Sequence, residues 1–139
     1  MFQELKDLDI YRMSEDLCER CWTVAGKWGD FAKDTVGKQL TRAADSIGAN
    51  IAESFGRYHY RDRANFLYYA RGSVYETRFW LDRANRRNLI DAEEYATVVA
   101  VTDELLLKLN AYIKSKRGQA AGTANRAPVP QSPGHLVTQ

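Results

Sequence analysis

The chain has 139 residues, of which 45% are hydrophobic and 27% charged, and its formal net charge is +2. This length suits one domain with its own core, and the composition is ordinary for a soluble globular protein. This net charge is too small to indicate any class of binding partner. No apolar run approaches the ~20 residues that span a bilayer, so no membrane partner is expected. The N-terminus lacks a basic segment followed by an apolar one, which predicts no signal peptide and a cytoplasmic location.

Apolar residues that recur at alternating spacings of three and four predict the first two helices. The first spans about 10–28 and the second about 36–55, with a loop at 29–35 between them. Gly56 is a helix stop, because glycine adopts a left-handed conformation without strain. The residues predicted to face the core are Ile10, Met13, Leu17, Cys21, Val24 and Trp28 in the first helix and Leu40, Ala43, Ala44, Ile47 and Ile51 in the second.

The same periodicity predicts a third helix over about 61–87 and a fourth over about 92–116. Asp91 followed by Glu94 indicates a capping box at the start of the fourth helix. The predicted core positions are Phe66, Ala70, Val74, Leu81 and Ala84 in the third helix and Tyr95, Val98, Thr102, Leu105, Leu109 and Tyr112 in the fourth.

Four long helices with short connections predict an all-α fold, an up-down-up-down antiparallel four-helix bundle over residues 1–117. The three prolines all follow residue 127, which agrees with long helices before that point because an interior proline breaks helical hydrogen bonding. Residues 118–139 are rich in Gly, Ala, Pro, Ser, Gln and Thr and show no periodicity. That composition predicts a disordered tail.

Positive charge is concentrated in the middle of the chain. Residues 38–87 carry ten Lys and Arg against five Asp and Glu, and nine of the ten cations are arginines. Guanidinium groups bind phosphates bidentately and aromatic faces stack on unpaired bases, so arginines interleaved with aromatics predict a surface for RNA or DNA. The alternative is a solvated face whose arginines form ion pairs between subunits. The candidate nucleic-acid contacts are Arg57, Arg61, Arg63, Arg71, Arg78, Arg83, Arg86 and Arg87.

Polar residues also follow one face of the second helix, at spacings of four, four and three, and recur on the third helix. We interpret them as a buried hydrogen-bonded network that fixes helix register. Acid–base chemistry or a di-metal site at Glu53 and Glu76 is the alternative. A di-iron bundle takes Glu-x-x-His pairs, however, and neither glutamate has a histidine at that offset. The predicted network is Arg42, Ser46, Asn50, Glu53, Ser73 and Glu76.

Cys18 and Cys21 form a lone Cys-x-x-Cys within the first helix. A structural zinc site needs two further ligands, which the sequence does not supply at a suitable spacing. Core packing is therefore expected for this pair. The glycines match no nucleotide-binding fingerprint. We predict that the protein is not an enzyme, with no catalytic residue, cofactor or metal.

The third helix has more bulky apolar side chains than one core-facing stripe can hold, since a bundle helix shows about 3/7 of its positions to the core. Exposed aromatic patches usually mark a protein interface, so we expect a homo-oligomer. Isolated surface tyrosines of no particular role are the alternative. The side chains in excess are Leu67, Tyr68, Tyr69, Tyr75, Phe79 and Trp80.

Two motifs and their separation resemble a known family. They are Ser46-Ile47 with Asn50-Ile51-Ala52-Glu53 and Gly56-Arg57, followed by Ala70-Arg71-Gly72-Ser73 with Glu76. The family is that of bacterial four-helix-bundle proteins encoded in intervening sequences of large-subunit ribosomal RNA genes. It is similar to the accessory variability proteins of diversity-generating retroelements. The resemblance covers roughly residues 8–115.

The resemblance implies an up-down bundle assembled as a homopentamer. For the retroelement relatives it also implies a basic surface that binds nucleic acid and a reverse transcriptase. The sequence departs from the family pattern at Gly48, where a proline or small residue is frequent, and at Ser54, where glycine is frequent. The residues that match the pattern are Arg42, Ser46, Asn50, Glu53, Arg57, Arg71, Ser73 and Glu76.

Overall fold

The computed structural model describes residues 3–126, with side chains described as far as Gln119. Each helix packs against the next in the chain, and the last also packs against the first. This arrangement confirms the predicted all-α four-helix bundle. No helix within residues 3–126 is both long and apolar enough to cross a membrane. After a 3-10 turn at Leu5–Asp7, the long helices are α1 (Asp9–Gly26), α2 (Lys38–Phe55), α3 (Tyr60–Arg86) and α4 (Ala92–Arg126).

The predicted loop at 29–35 is wrong, because the chain becomes helical again at Asp30. A short helical turn at Asp30–Ala32 and a π-helical turn at Lys33–Gly37 lead directly into α2. A Cβ at Gly37 would lie 3.4 Å from the ring of Trp28, so glycine allows this turn to pack closely against the end of α1. Asp30, in the first turn of the short helix, also interacts favourably with the positive end of that helix.

The core is aliphatic and follows most of the predicted stripes. Leu67 rather than Phe66 is fully buried on α3, and Ser14 rather than Met13 is buried on α1. On α4, Tyr95 and Tyr112 are only partly buried, and Ile113 is buried in place of Tyr112. The buried hydroxyls of Ser14, Thr77 and Thr102 donate to carbonyls of their own helices, that of Ser14 to Tyr11 at 2.6 Å. The largest fully buried side chains are Leu17, Leu40, Ile47, Ile51, Leu67, Leu81, Leu105, Leu109, Ile113, Val74, Val98 and Thr77.

The last helix does not stop near residue 116 but continues to Arg126. Residues 118–126 of the segment predicted to be disordered thus belong to this helix, and residues 127–139 lie outside the described residues. Among the side chains described as far as Gln119, Ile113 is the last buried one of α4, and those after it are mostly exposed.

Candidate nucleic-acid interface

The eight candidate arginines do not form one surface. Helix α3 has 27 residues, which at ~1.5 Å per residue makes it about 40 Å long. Arg63 and Arg86, near opposite ends of this helix, are therefore about 35 Å apart along its axis. The structure brings Arg57, Arg61 and Arg63 together at the start of α3 and places Arg83, Arg86 and Arg87 at its end, with Arg71 and Arg78 between the two groups.

The two middle arginines bind α4 of the same chain. Arg71 donates to the side-chain oxygen of Asn110 at 3.2 Å. Arg78 pairs with Asp82 at 3.1 Å and with Asp103 at 2.8 Å. The acidic partners of Arg78 seen in this structure thus lie within its own chain.

Asp82 also accepts a hydrogen bond of 2.6 Å from the hydroxyl of Tyr95, at the start of α4. Burial alone would lower the pKa of Arg78, but the hydrogen bond and charge of Asp82, helped by Asp103, raise it above its ordinary value. The same carboxylate raises the pKa of Tyr95, with burial as the second cause. These four residues tie α3 to α4 in one register, a structural role that leaves Arg78 poorly placed to bind phosphate.

The arginines at the start of α3 have different contacts from those in its middle. Arg57 pairs with Glu53 at 2.5 Å, and its guanidinium lies 4.6 Å from the centre of the Phe66 ring. Arg63 donates to the carbonyl of Arg57 at 2.5 Å. Arg61 is exposed, and within residues 3–119 no hydrogen bond or ion pair engages it. The turn thus holds two arginines in place and presents the third to solvent.

The last turns of α4 carry three further cations, of which Lys116 is influenced by the charge of Arg63 at this turn. Burial lowers the pKa of Lys116, and the positive charge of Arg63 lowers it further. We name residues 53–63 and 112–119 the basic end. Its carboxylates are Glu53 and Asp62, and its cations are Arg57, Arg61, Arg63, Lys114, Lys116 and Arg117.

Sequence reasoning missed the three cations of α4 because they lie on a different helix from the arginine-rich segment. A signal for them was present in the fold prediction. In an up-down bundle the end of the fourth helix returns to the start of the third, so basic residues on these two segments meet. Counting charge by position in the bundle rather than by position in the chain would have found the basic end.

The opposite end of α3 is less basic than its arginines suggest. Arg83, Arg86 and Arg87 lie at the negative end of the helix dipole, where cations stabilise the helix itself. The Arg83 guanidinium lies 5.3 Å from the centre of the Phe79 ring. The next segment also offsets these charges with the carboxylates of Asp91, Glu93 and Glu94.

The predicted polar network does not form within one chain. Ser46 donates to the carbonyl of Arg42 at 2.9 Å, and Asn50 donates to the carbonyl of Ser46 at 2.9 Å, so both bonds stay within α2. Glu53 pairs with Arg57 at the surface. The residues that follow each member of this row by one position face the core. The row itself is therefore turned toward solvent. Arg42, Glu53 and Glu76 are exposed, and Ser46, Asn50 and Ser73 are partly buried.

Two departures from the family pattern have identifiable contacts. Ser54 is buried, and its hydroxyl donates to the carbonyl of Arg63 at 2.8 Å, which joins the end of α2 to the first turn of α3. Helix α2 passes through Gly48 without interruption. A Cβ at Gly48 would lie 3.0 Å from the hydroxyl of Ser14, so this glycine allows close approach of α1.

The two cysteines are packed rather than arranged as a metal or redox site. Cys21 is fully buried, and burial raises the pKa of its thiol to about 12. Burial, together with the negative charge of Asp45, raises the pKa of Cys18 to about 11. Among the described residues, no group of three or more His, Cys, Asp or Glu side chains is placed to hold a metal ion.

Comparison with known proteins places the chain in a family. The family of 23S rRNA-intervening sequence proteins matches residues 6–111. The chain belongs to this family. The match covers α1, α2, α3 and α4 as far as residue 111, which includes the arginines of the α2–α3 turn.

A solved structure agrees with the fold of this family member. It is a protein of unknown function from the S23 ribosomal protein family of Bacteroides thetaiotaomicron, 26% identical in sequence. The likeness covers 76% of this chain and 98% of that one, with a TM-score of 0.69. No curated protein matches the chain.

The bond between Tyr95 and Asp82 predicts a pH-dependent loss of stability. Tyr95→Phe should lower the free energy of unfolding at pH 7 by about 0.5–1.5 kcal/mol, since it removes one hydrogen bond. Because the folded chain raises the pKa of Tyr95, this stabilisation is present below the unfolded pKa of ~10 and is lost as pH rises through the folded pKa. Urea denaturation of both proteins from pH 7 to pH 11 measures the difference.

Tyr75→Phe is the matched control, because Tyr75 is exposed on the same helix as Asp82. That variant should match the unmodified protein at every pH below the range where tyrosine ionises. A difference for Tyr95→Phe that stays constant from pH 7 to pH 11 would contradict the assignment.

Proposed function

We propose that the protein is a non-enzymatic, oligomeric scaffold that binds RNA or DNA through its basic end. The observation that carries this proposal is the turn at residues 53–63, which holds three arginines and two carboxylates, with Lys116 of α4 under the influence of the Arg63 charge. One of those carboxylates, Glu53, is already paired with Arg57. The turn therefore has more cations than carboxylates, and the side chain of Arg61 has no hydrogen bond or ion pair within residues 3–119.

Electrostatics favours a polyanion over a single acidic side chain as the partner. Lys116 and Arg63 repel each other, and burial makes the charge of Lys116 harder to maintain. A phosphate placed between two such cations relieves their repulsion and compensates for the lost hydration. Arginine also matches phosphate geometry with two parallel hydrogen bonds.

The comparisons support an RNA context without identifying a target. The description of the family refers to an intervening sequence of 23S rRNA, and the Bacteroides structure is assigned to an S23 ribosomal protein family. The same description leaves the function of that protein unknown. A phosphate-binding end on this chain is consistent with both descriptions.

Paired charge variants test the proposal. Arg61→Glu combined with Lys116→Glu should weaken binding to a structured RNA and lower the slope of affinity against salt, by ~0.9 for each phosphate that the protein no longer neutralises. Fluorescence anisotropy at several salt concentrations measures both quantities. Arg86→Glu combined with Arg87→Glu introduces the same charge change at the far end of α3 and is the matched control.

The control variant should bind within a small factor of the unmodified protein, because its substitutions lie about 35 Å from the basic end. Equal weakening in the two variants would show that net charge rather than location matters. If the unmodified protein does not bind RNA even at low salt, nucleic-acid binding is ruled out.

A protein-only assembly module is a second candidate, favoured by the outer face of α3. Tyr69 and Tyr75 are each 58% exposed and Phe79 is 50% exposed. Leu67 is not part of this face, because its side chain is fully buried. Tyr68 and Trp80 pack partly against the core, so the excess of aromatic surface is smaller than the sequence predicts but still present.

Serine substitutions at these aromatics test self-association. Tyr69→Ser, Tyr75→Ser and Phe79→Ser combined should lower the oligomer mass, because burying aromatic area in an interface is a main source of association energy. Light scattering after size exclusion measures the mass, which the family resemblance predicts to be that of a pentamer. Phe31→Ser is the control, because Phe31 is 84% exposed and lies just after the end of α1 rather than on α3.

Dissociation by the triple variant with Phe31→Ser unaffected supports an interface on α3. A triple variant that keeps its mass places any interface elsewhere. If the dissociated triple variant still binds RNA, the assembly function and the nucleic-acid function are separable.

A further inference from the structure

The turn between α2 and α3 presents an aromatic ring at the basic end. Tyr58 lies in the short connection from Gly56 to His59, and its side chain is 87% exposed. The His59 ring lies 5.1 Å from the Tyr58 ring in an edge-to-face arrangement. This contact involves an edge of one ring and leaves most of the Tyr58 surface open to solvent.

The backbone on both sides of Tyr58 is anchored. The amide of Gly56 donates to the carbonyl of Ala52 at 3.1 Å, and the amide of Arg57 donates to the carbonyl of Ser54 at 3.1 Å. Arg63 holds the carbonyl of Arg57 from the other side. The ring is therefore carried on an ordered turn, so little conformational entropy is lost when another group packs against it.

Several cations lie close to Tyr58 in the sequence. Arg57 precedes it directly, Arg61 follows three residues later, and α4 places Lys116 beside Arg63. An exposed ring beside a row of cations is the arrangement with which proteins hold single-stranded nucleic acid, since bases stack on the ring while phosphates follow the charges. A base-paired duplex hides its base faces within the stack and offers no such contact.

Two other exposed aromatics, Phe31 and Tyr75, lack this combination. Phe31 is 84% exposed, but its neighbours Asp30 and Asp34 add negative charge. Tyr75 is flanked by Glu76 on α3. Tyr58 is distinguished from both by the positive charge on either side of it along the chain.

We propose that the ring of Tyr58 is a stacking platform for an unpaired base, and that the phosphates of the same strand lie along Arg61 and Lys116. This inference rests on the proposed nucleic-acid function and specifies the form of the ligand. It requires a single-stranded segment, such as a loop or an end, rather than a continuous duplex.

Binding of short oligonucleotides to the full chain tests this proposal. The probes are an oligouridylate of about 20 nucleotides, an oligodeoxyuridylate of the same length, and an RNA duplex of about 20 base pairs, each at constant salt. Tyr58→Ala should weaken binding to both single strands by ~5- to ~150-fold, the range measured for loss of one stacked base. Binding to the duplex should stay unchanged, and so should the salt slope, because no charge is removed.

Two variants control for the fold and for aromatic surface in general. Tyr58→Phe retains the ring and should bind the single strands as the unmodified protein does. Phe31→Ala removes a ring of similar exposure from a region without the cation cluster and should also leave binding unchanged. The ratio of affinities for the RNA and DNA strands reports whether the 2′-hydroxyl is recognised. Weaker binding of either strand by the Tyr58→Ala variant supports a base stacked on Tyr58.

The outcomes separate this proposal from the broader one. If Arg61→Glu with Lys116→Glu weakens every probe but Tyr58→Ala weakens none, the basic end binds phosphate and the stacking platform is refuted. Equal weakening of duplex and single strands by Tyr58→Ala refutes it as well. If the unmodified protein binds no probe, both the nucleic-acid function and the stacking platform fail.

Discussion

The close packing of α2 against α3 is the constraint on which the rest of the structure depends. These two helices pack against each other, and buried alanines on both, such as Ala44 on α2 and Ala70 on α3, permit a close approach of the backbones. The hydroxyl of Ser54 then bonds to the first turn of α3. Since only Gly56–His59 connects the two helices, this seam decides where the exposed turn and its arginines lie.

A second constraint sets the composition of the basic end. Arg78 and Asp82 bind Asp103 and Tyr95, which fixes the register of α3 against α4. In that register Lys116 lies beside Arg63, within reach of its charge. A slip of one helical turn, about 5.4 Å, would separate these two cations. The ion pairs in the middle of α3 thus act on the function indirectly, because they hold the cations of α4 next to the α2–α3 turn.

Periodicity along the chain predicted the helices and most of the core, because burying an apolar stripe is the dominant energetic term and leaves a direct record in the sequence. It could not predict which polar residues are buried. The row from Arg42 to Glu53 has helical spacing, but Ala43, Ile47 and Ile51 beside it occupy the core and turn the row outward. Similarly, the arginines of the basic segment are separated from one another by the length of α3. Cations of α4, which are distant in sequence, approach the start of α3 because the two helices pack together.

The central claim is that positive charge at the α2–α3 turn and the end of α4, rather than arginine content as a whole, makes the nucleic-acid surface. Backbone amide chemical shifts, recorded during titration with a single-stranded oligouridylate, test it residue by residue. The account predicts shifts concentrated in residues 57–63 and 114–119, with the amides of 83–93 unmoved. Shifts concentrated at 83–93, or spread evenly over α3, would contradict it.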